Sequence, residues 1–263
     1  MYISDKEAKE LICTIGQKMY QRQFVSANDG NLTIRVGENA IIATPTGISK
    51  GDLTLDKLLK VDFAGNILEG TYKPTSELPM HLRIYKENNE IQSTAHAHPT
   101  FLNCIANLGA EMDLPLTPAT AAISGRIPVA PYCNPGSEDL ADSVAPYVHD
   151  FCVVLLANHG PIAWGHTPVE AFYILEDAEA YAKMAIIQKY ILKDYRPVSR
   201  SQIQELAETH GITINPKRFV NAPETTNNTE PSISLDALET DTVKIDDSTI
   251  EKIAELVAKK LKG

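Results

Sequence analysis

The sequence predicts an α/β protein in which helices pack on a sheet, and three observations carry that prediction. Residues 32–36 and 40–43 are short strand-like stretches bounded by polar, glycine-containing turns, as in hairpins. The run Phe151-Cys152-Val153-Val154-Leu155-Leu156-Ala157 is almost wholly apolar, which a strand shows when both of its faces are covered. Apolar residues at helical spacing recur near both ends of the main body, over 4–19 and 167–191. Neither G-x-G-x-x-G nor G-x-x-x-x-G-K-[ST] occurs, which argues against a dinucleotide fold and a Walker loop.

Taken in order, Ser4 and Glu7 form a capping box ahead of Leu11, Ile12, Ile15 and Met19, so an amphipathic helix opens the chain. The polar turn Ser26–Asn31 leads to a strand at Leu32–Val36, and a second strand at Ala40–Ala43 ends in Thr44-Pro45-Thr46-Gly47. A helix is expected over 52–60 and a short strand over Leu59–Phe63. Glu77 begins a helix through Leu78, Leu82, Ile84 and Tyr85, with Pro79 in the first turn, where an amide hydrogen is dispensable. A strand through Ile91–His98 precedes a helix over 99–108. Loop and helix are expected over 113–122, a short strand over 127–131 and a helix over 137–147. Thr167, Pro168 and Glu170 carry helix-start signals for the segment that places Phe172, Leu175, Ala178, Ala182 and Ala185 toward the core.

A chain of 263 residues can bury one good core. The net charge of -10 disfavours a general nucleic-acid-binding role. No stretch reaches the ~20 apolar residues of a membrane span, and no signal-peptide pattern opens the sequence, so a reducing cytoplasmic setting is expected. Cys13, Cys104, Cys133 and Cys152 lack C-x-x-C spacing and are read as buried thiols.

Chemistry concentrates in Thr94-Ala95-His96-Ala97-His98-Pro99. Side chains alternate along a strand, so His96 and His98 point the same way and can offer two nitrogens to one metal ion. His159, in Asn158-His159-Gly160, supplies a third imidazole, and Glu77 at a helix start supplies a carboxylate. A lone strand-end histidine is ordinarily a hydrogen-bonded surface group, and both readings stand for each residue alone. Together the four point to a catalytic zinc site with an open position for substrate. His81 lies one helical turn after Glu77 and reads as a structural hydrogen-bonding group, His149 and His166 as surface groups, and Trp164 as core. Asn31, Thr46, Gly47, Thr75 and Ser76 are small hydrogen-bonding residues in turns or at a helix start, the chemistry a phosphate needs without a lysine. Each of those turns is equally explained by ordinary turn chemistry.

These pieces together resemble the class II aldolase/adducin family, most closely its bacterial L-fuculose-1-phosphate aldolase branch. The resemblance spans roughly residues 5–215 and rests on six segments in order: Gly30-Asn31-Leu32-Thr33, Thr44-Pro45-Thr46-Gly47-Ile48, Pro74-Thr75-Ser76-Glu77, His96-Ala97-His98, Ile127–Tyr132 and Asn158-His159-Gly160. It implies a central, largely antiparallel sheet with helices on both faces. It also implies zinc on His96, His98 and His159, with Glu77 as resting ligand and acid/base, and a phosphate cradle of Asn31, Thr46, Gly47, Thr75 and Ser76. The implied reaction is reversible cleavage of a ketose 1-phosphate to dihydroxyacetone phosphate and L-lactaldehyde. The implied assembly is a homotetramer with active sites at subunit boundaries. A phosphopentulose 4-epimerase and a methylthioribulose-1-phosphate dehydratase or aldolase of the same superfamily are the alternatives. Two departures stand out: Thr117 occupies the place of a tyrosine of that branch, and His210-Gly211 the place of a tail tyrosine and glycine. At that place His210 can serve as proton donor toward the departing aldehyde oxygen, and a plain surface histidine is the competing reading.

The catalytic domain is therefore read as residues 1–215. Residues 216–247 read as a flexible linker, since Asn221–Asp247 has seven acidic residues against one lysine. Residues 248–263 read as an amphipathic helix with Ile250, Ile253, Ala254, Val257 and Leu261 on one stripe. That segment resembles the encapsulation peptides that bind bacterial microcompartment shell proteins and carry enzymes into the lumen; docking on its own enzyme is the competing reading.

Overall fold

A computed structural model gives the structure of the protein and describes residues 2–225. Its strands form one eight-stranded sheet in the order β4-β3-β2-β1-β5-β8-β7-β6. The strands are β1 (Asn31–Gly37), β2 (Ala40–Ala43), β3 (Leu59–Asp62), β4 (Ile67–Glu69), β5 (Ser93–His96), β6 (Val129–Ala130), β7 (Val153–Leu156) and β8 (Gly160–Gly165). All neighbours pair antiparallel except β6 and β7. The largely antiparallel sheet implied by the family resemblance is what the chain forms.

Helices α1 (Asp5–Gln21), α3 (Thr100–Leu108) and α6 (Glu170–Ile186) share an apolar cluster with one face of the sheet. Helices α2 (Leu78–Glu87) and α5 (Glu138–Val144) share a second cluster with the other face. The period of two in a strand explains the division. Leu32 and Ile34 of β1 enter the first cluster, which leaves Asn31 and Thr33 on the α2 side. In β7, Val153 and Leu155 join the first cluster while Val154 and Leu156 join the second. The apolar run is thus doubly covered as expected, one strand in from the sheet edge. Trp164 is buried in the second cluster. A third, small cluster holds Ala121 of α4 (Pro118–Ala122), Ile203 of α7 (Arg200–His210), Phe219 and Ala222.

Local chemistry sets the boundaries. The Ser4 hydroxyl accepts the Glu7 amide at 3.2 Å, and that of Ser137 accepts the Leu140 amide at 3.1 Å, each such cap being worth ~1 kcal/mol. The helix expected over 52–60 is instead two 3-10 turns, Lys50–Asp52 and Leu55–Lys57, followed by β3. Leu59 and Val61 are buried with Lys60 and Asp62 partly exposed between them, so pairing at period two prevails over helix propensity. Helix α6 starts at Glu170 without a cap from Thr167; the Glu170 carboxylate accepts the His166 and Thr167 amides at 2.7 and 3.1 Å and does the capping itself. Strands β4 and β8 and helix α7 are additions to the sequence reading.

The cysteines are not buried as expected. Cys104 is exposed and the other three are intermediate, all as free thiols. On α3 the inward stripe is Leu102, Ile105 and Ala106, which leaves Cys104 off the core face. His149 and His166 are exposed, as expected. The packed chain also runs past residue 215: Phe219 and Ala222 are buried, and the Arg200 amide donates to the Pro223 carbonyl at 2.8 Å. The rest of the expected linker and the amphipathic segment 248–263 lie outside the described residues. Among the described residues no helix is long and apolar enough to cross a membrane.

Candidate active site

Sheet register builds the site. Asn31 pairs with His96 and Thr33 with Thr94 across β1 and β5, so all four sit on one side of adjacent strands, facing α2. Glu77 is the residue before α2, and its side chain caps nothing in the helix. It turns toward the sheet instead, where Asn31 Nδ2 donates to Glu77 Oε2 at 2.8 Å. His98 follows β5, and its amide donates to the Phe24 carbonyl at 2.8 Å. His159 sits in the tight connection between β7 and β8, where Asn158 is left-handed with φ 58°. Gly160 there has φ 146°, and a Cβ would stand 2.7 Å from both the Ala97 carbonyl and Asn103 Oδ1. Only glycine permits that approach. Gly30, at φ 74°, has the same function beside β5: a Cβ would meet the His96 carbonyl at 2.9 Å.

One ring nitrogen from each of His96, His98 and His159 lies within 4.8 Å of the other two. His96 Nε2 is 3.4 Å from Glu77 Oε2, and His159 Nε2 is 3.2 Å from Glu77 Oε1. The structure therefore joins the four residues read from sequence as the metal set. His96 Nδ1–H donates to the Pro161 carbonyl at 2.8 Å, and His98 Nδ1 faces Asp29 Oδ2 at 3.4 Å. With its Nδ1 proton directed at a carbonyl, His96 Nε2 is an acceptor, and it faces His98 Nε2 at 3.0 Å. Glu77 Oε1 is buried without a hydrogen-bond partner. A cluster of converging acceptors with an orphaned carboxylate oxygen fits a divalent cation, and outward-facing oxygens on the ligating imidazoles are the usual support of such a centre.

Protonation states agree with that use. Burial pushes His96 down to about 3 against the pull of Glu77, and burial also lowers His159. Burial pushes the Glu77 carboxyl up, but His96, His159 and the Asn31 amide together hold it down to about 2. Neutral imidazoles and an ionised carboxylate are the forms a metal binds.

The residues read as a phosphate cradle come from neighbouring turns. Pro45 and Pro74 form a bridge, the Thr46 amide donates to the Lys73 carbonyl at 3.0 Å, and the Thr75 amide donates to the Thr44 carbonyl at 3.3 Å. Thr46, Gly47 and Ser76 are exposed, and Gly47, at φ 75°, has open space where a Cβ would be. Thr75 is buried, with its hydroxyl accepting the Glu77 amide at 3.3 Å. Asn31 is buried with its amide committed to Glu77. His210 is exposed at the end of α7 and is not part of the imidazole cluster. Thr117 caps α4 in a reciprocal box with Thr120, so its hydroxyl is spent on the helix start. Asp29 and the Pro161 carbonyl escaped the sequence reading; the one available signal for Asp29 is its place two residues before Asn31 in a polar turn.

The model of the Class II Aldolase and Adducin N-terminal domain matches residues 10–186. The chain belongs to that family. The 3-oxo-tetronate 4-phosphate decarboxylase of Haemophilus influenzae is 34% identical over 186 residues, covering 69% of this chain and 88% of that protein. The L-fuculose phosphate aldolase of Methanocaldococcus jannaschii is 32% identical over 185 residues, covering 70% and 99%. The crystal structure of YgbL from Escherichia coli superimposes with a TM-score of 0.71 at 30% identity, covering 77% of this chain and 98% of that one. The relatives divide between aldolases and decarboxylases, so kinship reaches the family and does not single out the fuculose-phosphate branch. Fold and imidazole cluster together support a divalent-metal-dependent, lyase-type reaction.

Proposed function

We propose that the protein catalyses zinc-dependent, reversible retro-aldol cleavage of a ketose 1-phosphate, L-fuculose 1-phosphate or a close relative, to dihydroxyacetone phosphate and L-lactaldehyde. The observation that carries this reading is Glu77 placed against three converging imidazoles with one carboxylate oxygen unpaired. A divalent ion held by His96, His98 and His159 supplies Lewis-acid polarisation of the substrate carbonyl. Glu77 returns the proton to the carbon beside that carbonyl after the carbon–carbon bond breaks, and removes it in the condensation direction. The turns at Thr46-Gly47 and Thr75-Ser76, together with Asn31, orient the phosphate and with it the bond to be cleaved. His210, from a neighbouring subunit of a homotetramer, exchanges the proton of the aldehyde oxygen. Residues 248–263 are proposed to carry the enzyme to a microcompartment shell.

Decarboxylation is a second reading, favoured by the kinship with decarboxylases and by Thr117, whose hydroxyl is occupied as a helix cap. A 3-oxo acid phosphate that loses carbon dioxide leaves the same enediolate that cleavage of a ketose phosphate leaves, so one carboxylate and one metal site serve both. A substrate screen decides between them. Purified protein is offered ketose 1-phosphates and 3-oxo-tetronate 4-phosphate, triose phosphate is followed with a coupled reductase, and aldehyde or carbon dioxide is identified as co-product. Aldehyde with triose phosphate is the expected result; no triose phosphate from either class would overturn both readings. Metal analysis of gently purified protein is expected to give one zinc per chain, and a different stoichiometric metal would replace zinc in the proposal.

A further inference from the structure

Glu77, His81 and Tyr85 are spaced by four, so they form one stripe of α2 and its N-terminal approach, and that stripe faces Asn31 and Thr33 of β1 and Thr94 of β5. A buried polar spine results. Asn31 Nδ2 lies 2.8 Å from Glu77 Oε2, Asn31 Oδ1 contacts His81 Nε2, and His81 Nδ1 lies 2.5 Å from Thr94 Oγ1. Thr94 Oγ1 is 2.5 Å from Thr33 Oγ1, which is 2.8 Å from the Tyr85 hydroxyl. His81 and His96 are wholly buried, and Asn31, Thr33, Thr94 and Tyr85 are each 3% exposed or less.

Chemistry at one end fixes the direction of each bond from Glu77 to Thr33. An ionised carboxylate only accepts, so the Asn31 NH2 group must face Glu77. The Asn31 carbonyl oxygen then faces His81, so His81 Nε2 must carry a hydrogen and donate. His81 is wholly buried and its ring nitrogens face only the Asn31 carbonyl and the Thr94 hydroxyl, so the ring is neutral and Nδ1 must accept. Thr94 donates to it and Thr33 donates to Thr94, while the Tyr85 hydroxyl lies 2.8 Å from Thr33 Oγ1 and 3.2 Å from the Thr33 carbonyl. Each group from Thr33 to Glu77 has one definite role, and the series ends on the carboxylate.

We infer that His81 is a positioning residue which, as the Nε2–H tautomer, locks the Asn31 amide so that Asn31 holds Glu77 Oε2 beside His96 and leaves Oε1 directed at His159. Without this donor the Asn31 amide can turn over and present its carbonyl to a carboxylate, which repels it. The inference rests on Glu77 acting as acid/base only for its effect on turnover; the tautomer and the amide orientation follow from the spine alone.

The test uses the full-length protein. Nitrogen-15 histidine ring spectra of the metal-free wild type, with His81 assigned by its loss in His81→Gln, are expected to show Nε2 protonated and Nδ1 bare. A ring protonated on Nδ1, or on both nitrogens, overturns the inference, and this measurement needs no altered protein. His81→Phe keeps the ring volume and removes the donor. It is expected to bind metal at wild-type stoichiometry, to lose about tenfold in kcat with KM within about twofold, and to shift the Asn31 side-chain amide resonances. His81→Gln, whose terminal amide restores an N–H near the old Nε2, is expected to recover most of kcat and the Asn31 resonances. A folded His81→Phe protein with wild-type kcat and unmoved Asn31 resonances also overturns it. If turnover proves independent of Glu77 while the ring spectrum is as expected, the acid/base reading fails and the His81 assignment stands.

Discussion

Glu77, Asn31 and His96 are 7%, 3% and 0% exposed, and each is held by a neighbour on another element, whereas Thr46, Gly47, Ser76 and His210 stand at the surface in turns and at a helix end. The buried half is set by strand register and by one stripe of α2, so its geometry is fixed wherever this sheet forms. The exposed half consists of hydroxyls and backbone amides of turns together with one imidazole at a helix end, positions that tolerate substitution. The contrast teaches which part of the proposed site the fold itself holds in place: the carboxylate and imidazoles are fixed by packing, whereas the proposed phosphate turns and His210 are not. It also makes the two halves separable by experiment.

The largest effect is expected in the buried half. Glu77→Gln keeps the shape and the Asn31 contact but removes the proposed base, so kcat should fall by about two orders of magnitude or more. Metal content should stay near that of the wild type, because three imidazoles remain. An unchanged kcat in the Glu77→Gln protein would transfer the proton to another group, His210 being the next to test.

Stability of the metal-free protein should follow the same buried groups. His81 titrates at about 4 and His96 at about 3 in the folded chain, both below the ~6.5 of a free histidine. Between those values and ~6.5 the unfolded chain binds more protons, so stability is lost as pH falls through that window. Glu77, held at about 2 when folded, acts in the same sense at lower pH, its contribution being lost as pH falls from the ordinary carboxylate range through 2. The urea midpoint of metal-free protein should therefore decline from pH 7 to pH 4.5. A flat profile would mean that the imidazoles are solvated in solution.

In the exposed half, Ser76→Ala removes one hydroxyl from the turn that begins α2. If that turn binds phosphate, KM should rise about tenfold with kcat within about twofold, the signature of lost uniform binding. Equal loss in kcat would show that Ser76 acts on the reacting carbon and would erase the division drawn between the halves.

The convergence of His96, His98, His159 and Glu77 was legible in the sequence because its signals are local. A period of two puts His96 with His98, and Glu77 and His159 stand at element ends. The spine was only half legible: a separation of four placed His81 beside Glu77, but the pairing of Asn31 with His96 and Thr33 with Thr94 is long-range and leaves no mark in either segment. Strand β8 escaped because it opens with Gly160 and Pro161, which read as loop, although all six of its residues are buried. Strand β4 escaped because its three residues are exposed. Helix α7 buries only Ile203 and Ala207, too narrow a stripe to stand out. The expected helix over 52–60 failed for the opposite reason: its leucines permit a helical spacing, and pairing with β2 overrode it.

The smallest effect on catalysis is expected from removing residues 248–263. The stripe Ile250, Ile253, Ala254, Val257 and Leu261 carries no residue of the proposed site, so the shortened enzyme should keep its kcat and KM. What the deletion should abolish is co-sedimentation with shell proteins, and the segment fused to an unrelated reporter should confer it. A stripe of five apolar residues buries little surface, so single-copy binding should be weak and the enzyme's binding should depend on several tails acting from one assembly. Ile253→Glu and Val257→Glu place charge in that stripe and should each weaken sedimentation without touching cleavage. Loss of activity in the deletion would instead tie the segment to the enzyme body, and the shell assignment would be withdrawn.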